Sequence, residues 1–218
     1  MTDQARGPRT LRGALVSIPQ TGGSPTVISF QYNPATLSRG LQPQMVGGEE
    51  NDRSQAVRFT GAPVQTIQVE VEIDATDGLE RNDPIALQYG IAPQLAALEL
   101  LIYPLSSDVL QQQALLATGT IEVAPLTAPR TLFVWGPRLC VPVRLTAYSV
   151  SEEAFDSALN PIRAVVSLGM RVLTYSDLDS DTRDYHQFLV YQQSLEQLAR
   201  IANTGRSSQP IGVDVSSL

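Results

Sequence analysis

Lysine is absent from the 218 residues, and cysteine, histidine and tryptophan occur once each. The single cysteine, Cys140, rules out a disulfide within the chain, so folding asks for no oxidising compartment and cytoplasmic assembly is expected. One histidine and one cysteine cannot supply an ordinary zinc site. No apolar run approaches the ~20 residues of a membrane-crossing helix, and the Arg- and Pro-containing start lacks a signal-type apolar core, so no direct membrane insertion is expected. Neither phosphate-cradling glycine motif is present, nor is the G-x-S-x-G nucleophile elbow. Acidic residues outnumber basic ones 22 to 15, for a net charge of -7, which argues against a nucleic-acid partner held by its backbone. Because every basic residue is Arg, a GC-rich coding sequence is the simplest explanation, and planar, bidentate pairing at interfaces is favoured.

What is present is a globular composition, 43% hydrophobic and 17% charged, with a surface leaning on Gln, Ser, Thr and Asn. Residues 1–13 lack periodicity and read as an arm. ALVSI and TVISFQY, separated by PQTGGSP, read as a hairpin that Tyr32-Asn33-Pro34 closes. Residues 38–62 carry no apolar pattern and are expected to be a long loop, or a strand formed only against a neighbour. VQTIQVEVEID alternates Ile67, Val69, Val71 and Ile73 with Gln68, Glu70, Glu72 and Asp74, so it predicts a strand with one wet, acidic face. Pro93 with Leu95, Leu98 and Ile102 predicts one helix over IALQYGIAPQLAALELLIYPL, and SSDVLQQQALLATG reads either as a second short helix stopped by Gly119 or as a Gln-rich flexible connection. TIEVAPLTAPRTLFVWG reads as two strands about a Pro-bounded turn, and VPVRLTAYSV and IRAVVSLGMRVLTY as a final pair. Thr182 is a candidate N-cap for a helix whose stripe is Phe188, Leu195 and Ala202, with Gly205 past its end. That stripe is narrow enough to suit a neighbouring subunit. The fold class is therefore mainly β, an antiparallel β-barrel or sandwich over 14–178 with one or two inserted helices, a C-terminal helix over 179–205 and a tail over 206–218.

Three constellations invite chemistry. Asp177, Asp179 and Asp181 match the first, third and fifth positions of a calcium loop, but Thr182 stands where the turn glycine belongs and Phe188 where the bidentate Glu belongs. A capping linker explains them better. His186, beside Tyr185 and Gln187, would have to serve any Ser-His-acid set, and reads instead as a surface side chain. Glu152, Glu153 and Asp156 could furnish a cell-wall hydrolase with its two carboxyls, yet neighbouring strand residues point to opposite sides. No enzyme, metal or cofactor is expected.

The motif series FQYNPATL, VQTIQVEVEIDATDGLE, YGIAPQLAALELLIYP and LFVWGPRLCVPVRLTAYSVSEEAFDSALNPIRAVVSLGMRVLTY resembles the tube-like baseplate protein of phage-tail-like contractile injection systems. It covers about residues 14–178, and the EEAFD…LNPIRA…RVLTY part is the most specific. The resemblance implies a tail-tube-like domain forming a homo-hexameric ring that adapts the central spike or hub to the inner tube, among other baseplate proteins. The family's baseplate member often carries a lysin-motif domain after the tube-like part; here a helix and tail follow, so a tube initiator or inner-tube paralogue is the alternative. On this reading residues 151–163 form a joint. Phe155 would anchor in a neighbour's pocket, Asn160 precedes the turn-fixing Pro161, and Glu152, Glu153 and Arg163 would pair across the interface, with Glu70, Glu72, Tyr32 and Asn33 as further contacts.

Overall fold

The computed structural model describes residues 11–19, 24–46, 58–117 and 128–204. Two short strands, β1 (Ala14–Ile18) and β2 (Thr26–Ser29), form the expected first hairpin. Then come β3 (Leu37–Gln42), the two-residue pair β4 (Met45–Val46) and β5 (Arg58–Phe59), and the long β6 (Val64–Asp74). Four helices follow: α1 (Thr76–Glu80), α2 (Pro84–Tyr89), α3 (Ala92–Glu99) and α4 (Ser106–Ala117). The chain closes with β7 (Arg130–Trp135), β8 (Leu139–Phe155), β9 (Pro161–Val172) and α5 (Arg183–Thr204). Seven strands make one antiparallel sheet in the order β2-β1-β7-β8-β9-β6-β3, and it does not close into a barrel.

The alternation in β6 does what period 2 requires. Ile67, Val69, Val71 and Ile73 are buried opposite Met170, Leu168, Val166 and Ala164 of β9, while Gln68, Glu70 and Glu72 stay exposed. With Phe133, Val141, Leu15 and Phe30 these side chains form the core, each of them but the small Ala164 contributing about 1.5–3 kcal/mol by leaving water. One polar clip draws the curled sheet together. The Gln31 side-chain amide donates to the Asp74 carbonyl at 2.8 Å and accepts from the Asp74 amide at 2.9 Å, so it bonds β6 as a neighbouring backbone would.

Several expectations need correction. Residues 38–42, inside the stretch expected to be loop or neighbour-dependent strand, belong to β3, which pairs with β6 of its own chain from Leu37↔Val69 to Gln42↔Val64. The single helix expected over residues 85–105 is two, because Gly90 adopts φ 58 and ψ -127, a conformation open to glycine and closed to helix. Leu95 and Leu98 are buried as the spacing implies, whereas Ile102 lies past α3 and is exposed. The heptad stripe of α5 fails after Phe188: Tyr191 is the next buried residue, and Leu195 and Ala202 are exposed. So α5 docks on its own sheet through its first half. Thr182 caps it, its hydroxyl accepting from the Tyr185 amide at 3.3 Å. The expectations for residues 1–10, for the strand over 120–127, for Gly119 and Gly205 and for the tail lie outside the described residues.

Candidate assembly surfaces

The strand ladder leaves backbone without partners at definite places. β7 pairs with β8 only over Leu139–Val143, while β9 pairs with β8 from Val143 to Phe155. Among the described residues, β8 from Leu145 to Phe155 therefore has no strand on its other side. β3 ends the sheet opposite. Among the described residues the subsheet β8-β9-β6-β3 is thus open along both edges, a state that proteins ordinarily blunt with charge, proline or cover. Its wet face is built of small and polar side chains: Ser38 and Gly40 on β3, Gln68 and Glu70 on β6, Ser167 and Gly169 on β9, Ala147 and Ser149 on β8. A shallow depression runs across it between Thr36, Ser38, Gln68, Ala147, Ser149 and Gly169.

Residues 151–163 are less of a connector than expected. Ser151 to Phe155 continue β8, Pro161 to Arg163 begin β9, and only 156–160 turn. Asp156 organises that turn: one carboxylate oxygen accepts from the Ala158 amide at 2.7 Å and the Asn160 amide at 2.8 Å, and the other from the Asn160 side chain at 2.8 Å. The Asn160 side chain, and then the two amides, hold the Asp156 carboxyl below its ordinary range. Asn160 is thereby an internal turn residue. Leu159, which sequence reasoning missed, sits at φ 64 and is 79% exposed, a strained backbone for a branched side chain presented to solvent. Phe155 is 49% exposed beside it. No spacing signal marks Leu159, since its left-handed backbone is set by the carboxylate clamp three residues earlier.

Glu152 and Glu153 are both exposed, and a shift in pairing between Glu152 and Ala154 upsets the simple alternation there. Glu152 acts on Tyr148: burial first, then the charges of Glu99 and Glu152, push that phenol up to about 12, so it stays protonated. Arg163 already has acids of its own chain, with Nη2 2.8 Å from Asp74 and Nε 3.7 Å from the Glu72 carboxylate. The Thr76 hydroxyl, then its amide and Arg163, hold the Asp74 carboxyl below its ordinary range against the opposing effect of burial. Asn33 faces inward chemically, donating to the Leu11 carbonyl at 2.7 Å and accepting from the Gly13 amide at 2.9 Å; Tyr32 next to it is 47% exposed. Glu70 faces Ser167 on the wet face. Asp177 bonds Arg171 at 2.7 Å and the Thr174 amide and hydroxyl, a capping arrangement. His186 is exposed with its ring edge-on to Tyr185. Among the described residues no three His, Cys, Asp or Glu side chains gather as a metal site, and no helix is long and apolar enough to cross a membrane.

Both depressed carboxyls predict an acid limb of stability. Each favours the folded state above a free aspartate's 3.8, and that contribution is lost as the pH falls through the lower folded value. Denaturation midpoints should therefore drop from about pH 4 downward. Asp74→Asn is expected to be less stable than the parent at pH 7 and to show a flatter acid limb, and an unchanged slope would mean that other carboxylates set it.

No protein-family model matches the sequence, and no curated protein matches it. Among solved structures, a chain of the anti-feeding prophage baseplate in its 6-fold symmetrised form aligns at TM-score 0.29 and 11% identity, over 78% of this chain and 94% of that one. A chain from the C6-symmetric tail of an empty gene transfer agent particle aligns at TM-score 0.30 and 12% identity, over 73% and 90%. A chain of the native gene transfer agent virion aligns at TM-score 0.28 and 12% identity, again over 73% and 90%.

Proposed function

We propose that this chain is a non-enzymatic structural component of a phage-tail-like contractile particle, whose copies join into a six-membered ring between the central spike and the inner tube. The observation that carries the reading is the pair of open edges on the β8-β9-β6-β3 subsheet. Leu145–Phe155 of one copy adds to Leu37–Gln42 of the next, so that every copy gives one edge and receives another, and closure of the ring leaves neither of these two free. The small, polar face then lines the axis. The motif series over residues 14–178 supports the same placement. Glu152 and Glu153 lie on the adding strand and serve as contacts with the neighbour, and Phe155, with Leu159, supplies the apolar tip that enters its pocket.

The chain should sediment as a higher oligomer once concentrated or mixed with its tube and spike partners, and averaged images of the particle should place it as a ring on the axis. Density off that axis, or copies sharing no sheet edge, would refute the proposal. Phe155→Ala should leave the melting temperature within about 1 °C, since the ring is half exposed, but weaken association about 30-fold, the loss of a 2 kcal/mol anchor. Unchanged assembly would remove Phe155 from the interface.

A further inference from the structure

A third open edge belongs to a different part of the sheet. Among the described residues β2 pairs with β1 alone, and beside its free edge lies a groove of about 560 Å³ between the strand and helices α2 and α3. Ile28 and Phe30 on one side, Val71 and Ile73 below, and Ala97 and Leu98 on the other make it apolar. Its charged lining residues are Arg12, Asp74 and Asp83. Asp74 is held by Arg163 and Thr76, and Asp83 accepts from the Ile85 amide at 3.0 Å as a helix cap, but Arg12 has no ion pair among the described residues. Among the described residues the groove meets the requirements of strand addition: a β2 edge with no strand partner, accessible apolar lining at Ile28, Ile85 and Ala97, and a positive charge without an ion pair.

The sequence holds a segment of that description outside the described residues. Ile211-Gly212-Val213-Asp214-Val215 alternates apolar and small or acidic residues after Pro210, with no basic residue among the five. We propose that this segment of one copy adds as a strand to β2 of a second copy, with Ile211, Val213 and Val215 against the accessible apolar lining at Ile28, Ile85 and Ala97 and Asp214 toward Arg12. Delivery to another copy follows from α5. Its last fully buried residue is Tyr191, and beyond it Gln192, Ser194 and Leu198 are half-buried and the rest exposed, so the packing of α5 on its own body thins over about 16 Å of helix toward Ala202. The strap deepens the ring reading and rests on copies lying side by side, because a five-residue strand alone binds weakly and gains from a tethered, high local concentration.

The test uses full-length chains carrying Cys140→Ser. One has Val27→Cys on the free edge of β2, the other Val213→Cys, and the two are mixed and treated with a short bismaleimide. A heterodimer cross-linked between position 27 of one chain and position 213 of the other is expected, falling at least tenfold when Ile211→Asp and Val215→Asp are added to the Val213→Cys chain. No heterodimer, or one indifferent to the two aspartates, overturns the strap, as does a chain carrying both Val27→Cys and Val213→Cys that links only within itself. The ring reading fails separately: unsubstituted chain that forms rings while the strap cross-link is missing leaves the ring standing and removes the strap.

Discussion

Gly90→Val is expected to destabilise the protein by about 4 kcal/mol or more, enough to leave most of the expressed chain insoluble. Two effects coincide there. The backbone sits at φ 58 and ψ -127, where a residue with a Cβ is strongly disfavoured. A Cβ would also lie 2.1 Å from the Pro161 carbonyl oxygen, which accepts the Ile91 amide at 2.8 Å and so ties the α2–α3 joint to the start of β9. Either the helices or the hairpin must move, and the Ile91 bond goes with them. Gly136→Ala separates the two effects, because Gly136 has φ 69 but nothing within 4 Å of the added carbon. It should cost only about 1–2 kcal/mol, the left-handed penalty alone. Urea or thermal unfolding of both variants checks this, and equal losses would mean that the contact with Pro161 yields freely.

Asp184→Ala is the second large effect. Arg130 grips Asp184 with two nitrogens: Nε donates at 2.7 Å to one carboxylate oxygen and Nη2 donates to the other. The acid is 6% exposed, and Arg130 retains its charge without it. Strong burial of both would put the cost of breaking such a pair near about 3–5 kcal/mol, but the Arg130 side chain keeps 33% of its surface in water. About 2–3 kcal/mol follows, or a fall in melting temperature of about 4–12 °C. The loss should also loosen the first half of α5, where Gln187 donates to the Cys140 carbonyl at 3.1 Å and Tyr191 reaches Gln65 at 3.3 Å. Hydrogen exchange at residues 185–191 reads that directly. Protection unchanged there would show that Phe188 and Tyr191 hold the helix without the ion pair.

The β6 strand was legible because burial on one face needs nothing beyond period 2, and the same logic exposed the β8 and β9 runs. Helix α3 was legible through Leu95 and Leu98. What escaped the sequence depended on geometry made elsewhere. Gly90 splits a helical pattern because Pro161, far along the chain, occupies the space beside it. β3 carries little apolar signal, since its wet face is small and polar and on its other face only Leu37 packs against the core while Arg39 and Leu41 are exposed, so its pairing with β6 has no local signal. Leu159 and the Asp156 clamp could not be read from spacing. Arg163 reads from sequence as a charged partner for a neighbour, but the acids it holds here, Asp74 and Glu72, belong to its own chain and lie across a strand pair whose register sequence reasoning did not assign.

β8 belongs to two subsheets, pairing with β7 at one end and β9 over most of its length. A pull on the hairpin tip parallel to these strands draws β8 and β9 together, so it is resisted in shear by the flanking β9–β6 and β8–β7 ladders, and the beginning of β8 is held to α5 through the Cys140 carbonyl. Tension entering at Phe155 therefore reaches the helix along the continuous backbone of β8 with no loop between, so the tip and the docked helix move as one mechanical lever.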